Sequence, residues 1–231
     1  MVRAFARHLH AIDATHQVPP PGLLPAKTRR VTPYLYSDAD IAALMAAASR
    51  LRSPLRAATL QTLVGLLAVT GLRIGEALRL DRGDIDVALG VVRVRETKFG
   101  KSREVALHPS TVEALVAYGH RRDQLCPRPR GQAFFISTAG TRLLYCNVHL
   151  AWQNLVRSAG LQRRSATCRP RPHDVRHSFA VRTLLGWYRE RADVEARMPL
   201  LSTYLGHVHP GNTYWYYSDS RVIPMPAPSR A

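Results

Sequence analysis

Apolar residues recur along this chain with two periods, and the longer one dominates. Spacings of three and four place Phe5, Leu9 and Ile12 on one face of a short helix within residues 1–15. The same spacing joins Ile41, Leu44 and Met45 over 38–51, where Ser37 and Asp40 resemble a capping box at the start. Leu60, Leu63, Val64 and Leu67 predict a helix from about Arg56 to Val69, ended by Gly71. In TGLRIGEAL, a glycine turn leads into a short helix with Ile74, Ala77 and Leu78 facing inward. Val148, Ala151, Leu155 and Val156 give another helical face over 147–158. A long helix begins near His173 after a proline-rich approach, and a last helical segment stops at Gly206.

The shorter period appears once with clarity. Val92 and Val94 alternate with Arg93 and Arg95, the chain turns around Phe99–Lys101, and the apolar positions resume at Val105 and Leu107. This predicts a hairpin with a cationic tip. Ser110 and Glu113 are expected to cap the helix that follows, and Phe134–Ile136 is expected to form a short strand. The fold class is therefore mainly α with a small antiparallel β-sheet, an α+β chain. There is no internal repeat.

Prolines divide this pattern. VPPPGLLPAKTRRVTP reads as an extended linker between the first helix and the main body, and VIPMPAPSRA as an irregular tail. The expected organisation is an N-terminal fragment with its linker over 1–30, a main domain over 31–221 and a tail over 222–231. A chain of 231 residues, 46% of them hydrophobic, has enough apolar surface for one good core.

Charge narrows the range of partners. Lys and Arg number 33 against 16 acidic residues, a net charge of +17 and a pI near 10.9, which favours a polyanion, with nucleic acid the leading candidate. No long amphipathic basic helix or Lys-rich tail points to a membrane surface instead. The excess of Arg over Lys carries no weight, because genome composition accounts for it equally well. No apolar run approaches the ~20 residues that span a bilayer; Leu63–Thr70 is too short and stops at Gly71. The N-terminus lacks a signal-peptide pattern, so a soluble cytoplasmic protein is expected. Cys126, Cys146 and Cys168 are odd in number and lack metal-type pairing, which suggests reduced, buried or inert thiols.

Several residues carry candidate chemistry. Arg73 opens a helix where packing can hold its planar guanidinium for bidentate contact with phosphate. Glu76, three residues on, either orients that guanidinium or is an exposed helix charge. Lys98, at the end of the first hairpin strand, can give a proton to a leaving oxygen, and Lys101 at the tip competes for that role. His173 and Arg176 share a helix face near its N-terminus, where anions are favoured, while His177 points elsewhere and reads as structural. His207 follows a helix stop and can donate to an oxygen. Tyr216 follows in NTYWYYS, with Tyr214 and Tyr217 as rivals, and clustered Arg and protonated His would lower a tyrosine pKa from its usual ~10. The same aromatic run could equally be a core stripe or a base-stacking platform. A zinc site built from Cys168, His173, His177, His207 and His209 is disfavoured by scattered spacing and the lack of a carboxylate or CxxC partner.

Arg73 in TGLRIGEAL, Lys98 in the hairpin, His173 and Arg176 in HDVRHSFA, and His207 in YLGH with Tyr216 nine residues later occur in one order. That series resembles the tyrosine recombinase (phage integrase) family over about residues 29–220, and the count from His207 selects Tyr216 over its neighbours. The resemblance implies the catalytic-domain fold of that family and a reaction free of metal and cofactor, in which Tyr216 attacks the scissile phosphate of double-stranded DNA. A 3′-phosphotyrosine bond forms, a 5′-hydroxyl leaves, and a partner strand later reverses the step. Arg73 and Arg176 would clamp non-bridging oxygens, His173 would handle the tyrosine proton, His207 would brace the phosphate and Lys98 would protonate the leaving oxygen. Keeping the bond energy in the covalent link removes any need for ATP, and no GxxxxGK[ST] loop is found.

Relatives of this kind carry an N-terminal core-binding domain, of which residues 1–15 resemble at most the last helix. They also continue past the tyrosine with a helix that docks on a neighbouring subunit, whereas SDSRVIPMPAPSRA has no long apolar stripe. The expectation is a complete catalytic cage with weakened DNA affinity and weakened homo-oligomer (tetramer) assembly. The alternative readings are a truncated, non-recombining DNA-binding remnant or regulator, and a topoisomerase-like enzyme that nicks and reseals.

Overall fold

The helical stripes and the paired strands of the expected hairpin are present in a computed structural model that describes residues 2–20, 23, 32–95, 102–207, 211, 213 and 214. The chain divides into two units, Met1–Val31 and Thr32–Ala231. In the first, α1 (Val2–Ile12) carries its apolar residues without burying any of them. Arg3 Nε donates to the Pro19 carbonyl at 3.0 Å, which returns the proline segment toward this helix.

The second unit is built on α3 (Pro54–Thr70), with α2 (Asp38–Ser49), α5 (Pro109–Leu125) and α7 (Pro172–Arg189) against it. Leu60, Leu63, Val64, Leu66 and Leu67 of α3 are all buried, so this helix is apolar well beyond a single stripe, as a central helix must be. Burying each such side chain contributes about 1.5–3 kcal/mol. Tyr118 of α5 meets the rings of Phe134 and Phe135, with centroids 5.4 and 5.3 Å away. The segment before α2 is tied to α7 by Tyr36, whose amide donates to Ser178 Oγ at 2.7 Å and whose hydroxyl donates to the Arg171 carbonyl at 3.1 Å. α6 (Tyr145–Ser158) adds Trp152, which donates to the Tyr36 hydroxyl at 3.2 Å.

A smaller cluster joins α7 to α8 (Val194–Leu205) through Val181, Leu184, Met198, Leu201 and Leu205. Between α4 (Ile74–Arg79) and α5 lies a three-stranded antiparallel sheet, β1 (Ile85–Asp86), β2 (Val91–Val94) and β3 (Arg103–Ala106), in that order. β2 and β3 pair with Val92 opposite Val105 and Val94 opposite Arg103. Val92, Val94 and Val105 are buried, as the alternation requires.

The helical expectations and the fold class agree with the structure: the capping box at Ser37 and Asp40 is present, and Gly71 and Gly206 end their helices at φ values of 61 and 64°. Three local expectations need correction. α5 is capped by His108, whose ring accepts from the Ser110 amide, because Pro109 sits naturally at the first helical turn and moves the start two residues earlier than Ser110 would place it. Phe134–Ile136 forms no strand; Ala133 and Ile136 make only isolated bridges, with Asp81 and Arg142, and the aromatic rings are held by packing instead. Cys146 is exposed while Cys168 is buried, so the thiols are not uniformly protected. β1 carried too few residues to show a period. Among the described residues no helix is long and apolar enough to cross a membrane. The linker over 21–22 and 24–31, the hairpin tip and the tail lie outside the described residues.

Candidate active site

Four of the six expected site residues belong to the described part of the molecule: Arg73, His173, Arg176 and His207. Lys98, its competitor Lys101, and Tyr216 lie outside it, as does Tyr217. The four converge from three places, namely the turn between α3 and α4, the first turns of α7, and the exit of α8.

Arg73 precedes α4, and its Nη1 donates to Glu76 Oε1 at 2.7 Å while its amide donates to Glu76 Oε2 at 3.0 Å. Glu76 thus fixes backbone and guanidinium together. Its side chain is only 2% exposed, which rules out the exposed helix charge weighed as its alternative role. Arg73 Nη2 reaches across to the Gly206 carbonyl at 2.9 Å. Arg176, buried on α7, sends Nη1 to the Gly71 carbonyl at 2.8 Å and Nη2 to the Leu205 carbonyl. Both guanidiniums are therefore fixed by backbone carbonyls before any ligand arrives.

The turn into α7 is held by Asp174, which accepts from the Arg171 amide at 3.1 Å and from its guanidinium at 3.1 and 3.2 Å. This sets the direction of His173, the preceding residue. His177 does not point away from His173: one helical turn on, its ring packs edge-to-face at 4.8 Å. Reading its position from Arg176 alone hid the four-residue spacing from His173. His207 follows the glycine stop of α8, where its amide closes on the Ser202 carbonyl at 2.9 Å and its Nδ1 lies 2.7 Å from the hydroxyl of Thr213.

The three imidazoles are lowered by burial and by the charges in this cluster together. Burial, then the Arg176 and Arg73 charges, press the His207 imidazole down to about 3. Burial followed by Arg176, Arg73 and Arg171 brings His173 to about 4, even though this side chain keeps an open edge to solvent. His177 is pushed to about 3 by burial and then by His173 and Arg176. Burial first, and the neighbouring charges after it, therefore disfavour the protonated histidines expected from sequence, most clearly for His177 and His207. Glu76 goes the other way. Burial would raise its carboxyl, but the hydrogen bonds and charge of Arg103, then those of Arg73, outweigh it and hold the group at about 2.

Three contributors escaped the sequence reading. Arg103 on β3 donates Nη1 and Nη2 to the two oxygens of Glu76 at 3.2 and 2.8 Å, and Nε to the Tyr204 carbonyl at 2.9 Å. A signal for it exists, since Arg103 is in phase with the buried Val105, so strand alternation turns this cation inward. Asp174 gives a weaker signal, as an acidic residue in the first turn of a helix. Thr213 has no sequence signal at all. Among the rival tyrosines, Tyr214 is 42% exposed.

The arrangement suits a phosphodiester: two fixed planar cations for non-bridging oxygens, and neutral imidazoles able to accept or share a proton. Comparison with known proteins points the same way. Residues 35–221 match the phage integrase family. A Sinorhizobium fredii protein named as an integrase/recombinase, y4rB, is 44% identical over 225 residues, covering 95% of this chain and 72% of its own. Tyrosine recombinase XerD of Mycobacterium tuberculosis is 36% identical over 217 residues, covering 92% and 64%. The crystal structure of XerA recombinase superposes with a TM-score of 0.65 at 26% identity, covering 94% and 70%. XerH recombinase bound to its difH substrate before cleavage shares the fold at a TM-score of 0.63 and 21% identity, covering 88% and 55%. The chain thus spans between about half and three quarters of the length of these proteins. With the family matched over most of its length, this chain belongs to the phage integrase family of tyrosine recombinases.

Proposed function

We propose that this chain cuts and rejoins double-stranded DNA through a 3′-phosphotyrosine intermediate, with Tyr216 as nucleophile and residues 31–221 as the catalytic part. The observation that carries the reading is the attachment of Arg73 and Arg176 to the consecutive carbonyls of Gly206 and Leu205, beside neutral His173 and His207. Two preorganised guanidiniums are aimed at charge that grows on a phosphate in the transition state and need little rearrangement to meet it.

In this reading the Tyr216 hydroxyl passes its proton to the neutral imidazole of His173 as its oxygen attacks phosphorus. The bond to the 5′-oxygen breaks, Lys98 supplies the proton that oxygen needs, and DNA stays joined to the enzyme as a phosphotyrosine diester. Arg73 and Arg176 neutralise the non-bridging oxygens throughout, and His207 donates one further hydrogen bond. Thr213, 2.7 Å from His207 Nδ1, orients the imidazole for this contact. Rejoining runs the same steps backward with a 5′-hydroxyl as nucleophile. DNA as the partner is supported by the net charge of +17 and by the fold shared with the Tn1549 transposon integrase in complex with transposon right end DNA. A homo-oligomer assembled on DNA follows from the same reading.

The test is a DNA duplex nicked near the cleavage point, so that the released fragment diffuses away and traps the covalent complex. The wild-type chain accumulates a protein–DNA adduct, Tyr216→Phe abolishes it, and Tyr214→Phe and Tyr217→Phe retain it. An adduct that persists in Tyr216→Phe overturns the assignment of the nucleophile.

A further inference from the structure

The C-terminal end of α8 is held from three directions. Its last carbonyls, on Tyr204, Leu205 and Gly206, accept in turn from Arg103 Nε, Arg176 Nη2 and Arg73 Nη2. These arginines come from β3, α7 and the turn before α4. Each meets the negative end of the helix dipole, and each satisfies a carbonyl that the helix itself leaves open. Two of the three belong to the phosphate site already described. Arg103 is not placed against the phosphate there, and its side chain is 13% exposed.

We infer that Arg103 is a positioning residue for strand cleavage, which sets where Arg73 and His207 meet the scissile phosphate without itself touching DNA. It acts along two routes. Through Glu76, whose two oxygens it holds at 3.2 and 2.8 Å, it fixes the carboxylate that in turn holds the amide and guanidinium of Arg73. Through the Tyr204 carbonyl it fixes the last turn of α8, from which His207 emerges two residues after the helix ends. Arg103 also opens β3, directly after the connection that contains Lys98, so one side chain joins the base of the hairpin to both halves of the cation cluster.

The job requires an arginine. A planar fork spans two carboxylate oxygens while its Nε reaches a carbonyl to one side, whereas a lysine ammonium cannot hold that geometry. The closeness of Gly206 fits the same picture, since a β-carbon there would lie 2.9 Å from Arg103 Nη1.

This inference rests on the phosphodiester-cleaving reading of the site, and single-turnover kinetics on the nicked duplex test it. For Arg103→Gln, DNA affinity by gel shift is expected to stay close to wild type while adduct formation slows by about 10²-fold, as expected when a reacting group is displaced by about an ångström. A second substrate carries a neutral methylphosphonate at the scissile position. There less charge remains for Arg73 to meet, so the gap between wild type and Arg103→Gln narrows; a purely structural role leaves the gap unchanged. Arg103→Lys, with the charge kept and the fork lost, is slowed in the same pattern and supplies the reading should the glutamine variant fail to fold. The inference is overturned by wild-type rates in both variants, by an equal loss on both substrates, or by a loss of affinity that accounts for the whole defect. A wild-type chain that forms no Tyr216-dependent adduct overturns the cleavage reading and takes this inference with it.

Discussion

Gly71 lies so close to the ring of Phe179 that a β-carbon on the glycine would come within 2.5 Å of Cδ1 and 2.9 Å of Cγ. The glycine also has a φ of 61°, which ends α3, and its carbonyl is the one that Arg176 Nη1 holds. One residue thus ends a helix, admits an aromatic ring and anchors a site cation. Gly206 resembles it in φ, but its neighbour is the guanidinium end of Arg103 rather than a packed ring.

The two glycines should therefore separate stability from activity. Left-handed strain costs either alanine variant about 1–2 kcal/mol. Gly71→Ala adds a clash with a packed ring, so its urea midpoint should fall well below that of Gly206→Ala. Gly206→Ala presses on the Arg103 guanidinium instead, and should slow adduct formation where Gly71→Ala mainly lowers stability. Equal midpoints for the two variants contradict this account.

Glu76→Gln removes the one carboxylate between Arg73 and Arg103 and turns an amide N–H toward a guanidinium. Breaking a buried pair of this kind costs about 3 kcal/mol or more. Equilibrium denaturation at pH 7 should show that loss, and combining the change with Arg103→Gln should cost less than the sum of the two, since both act on one network. Full additivity would sink the network as drawn.

Acidification should destabilise the fold through its histidines before it touches Glu76. The folded-state values of His177 and His207, about 3, lie below the ordinary 6.5, so unfolded chains bind protons first as the pH falls. Stability is fully present above 6.5 and declines between 6.5 and about 3, by at most about 1.4 kcal/mol per pH unit for His177. His173, open to solvent on one side, contributes less. Glu76, held at about 2, stays ionised through most of this window, and its contribution is lost only below about 4.5, the usual carboxylate range. Melting temperatures from pH 7 to pH 5 should fall, and His177→Gln should flatten the slope. A flat profile in the wild type rules out the neutral, buried state described for these rings.

DNA affinity should fall steeply with salt. Each phosphate neutralised adds about −0.9 to the slope of log K against log salt. Arg73→Ala or Arg176→Ala should make that slope shallower by about one unit. A slope near zero in the wild-type chain argues against DNA as the partner.

Much of this molecule follows from local rules that a sequence displays directly. The stripes Ile41, Leu44 and Leu60, Leu63, Val64, Leu67 specify their helices because a helix needs one continuous apolar side to bury, and Gly71 and Gly206 mark ends that few other residues can adopt. The family resemblance picked out Arg73, His173, Arg176 and His207, which the fold gathers at the end of α8 and the start of α7. Where local rules competed, the reading failed: Pro109 against Ser110 for a helix start, and packing against pairing for Phe134–Ile136.

What the sequence by itself determined is which residues are cations and which segments are helices. It could not determine what the cations bind, because Arg103 and Glu76 meet across 27 residues and Arg73 and Gly206 across 133. Only the packing of α8 against α7, and of β3 beside α4, brings three guanidiniums to three consecutive carbonyls. The same enclosure decides that the histidines are neutral. Protonation depends on the field of neighbours gathered by the fold, which no spacing along the chain records.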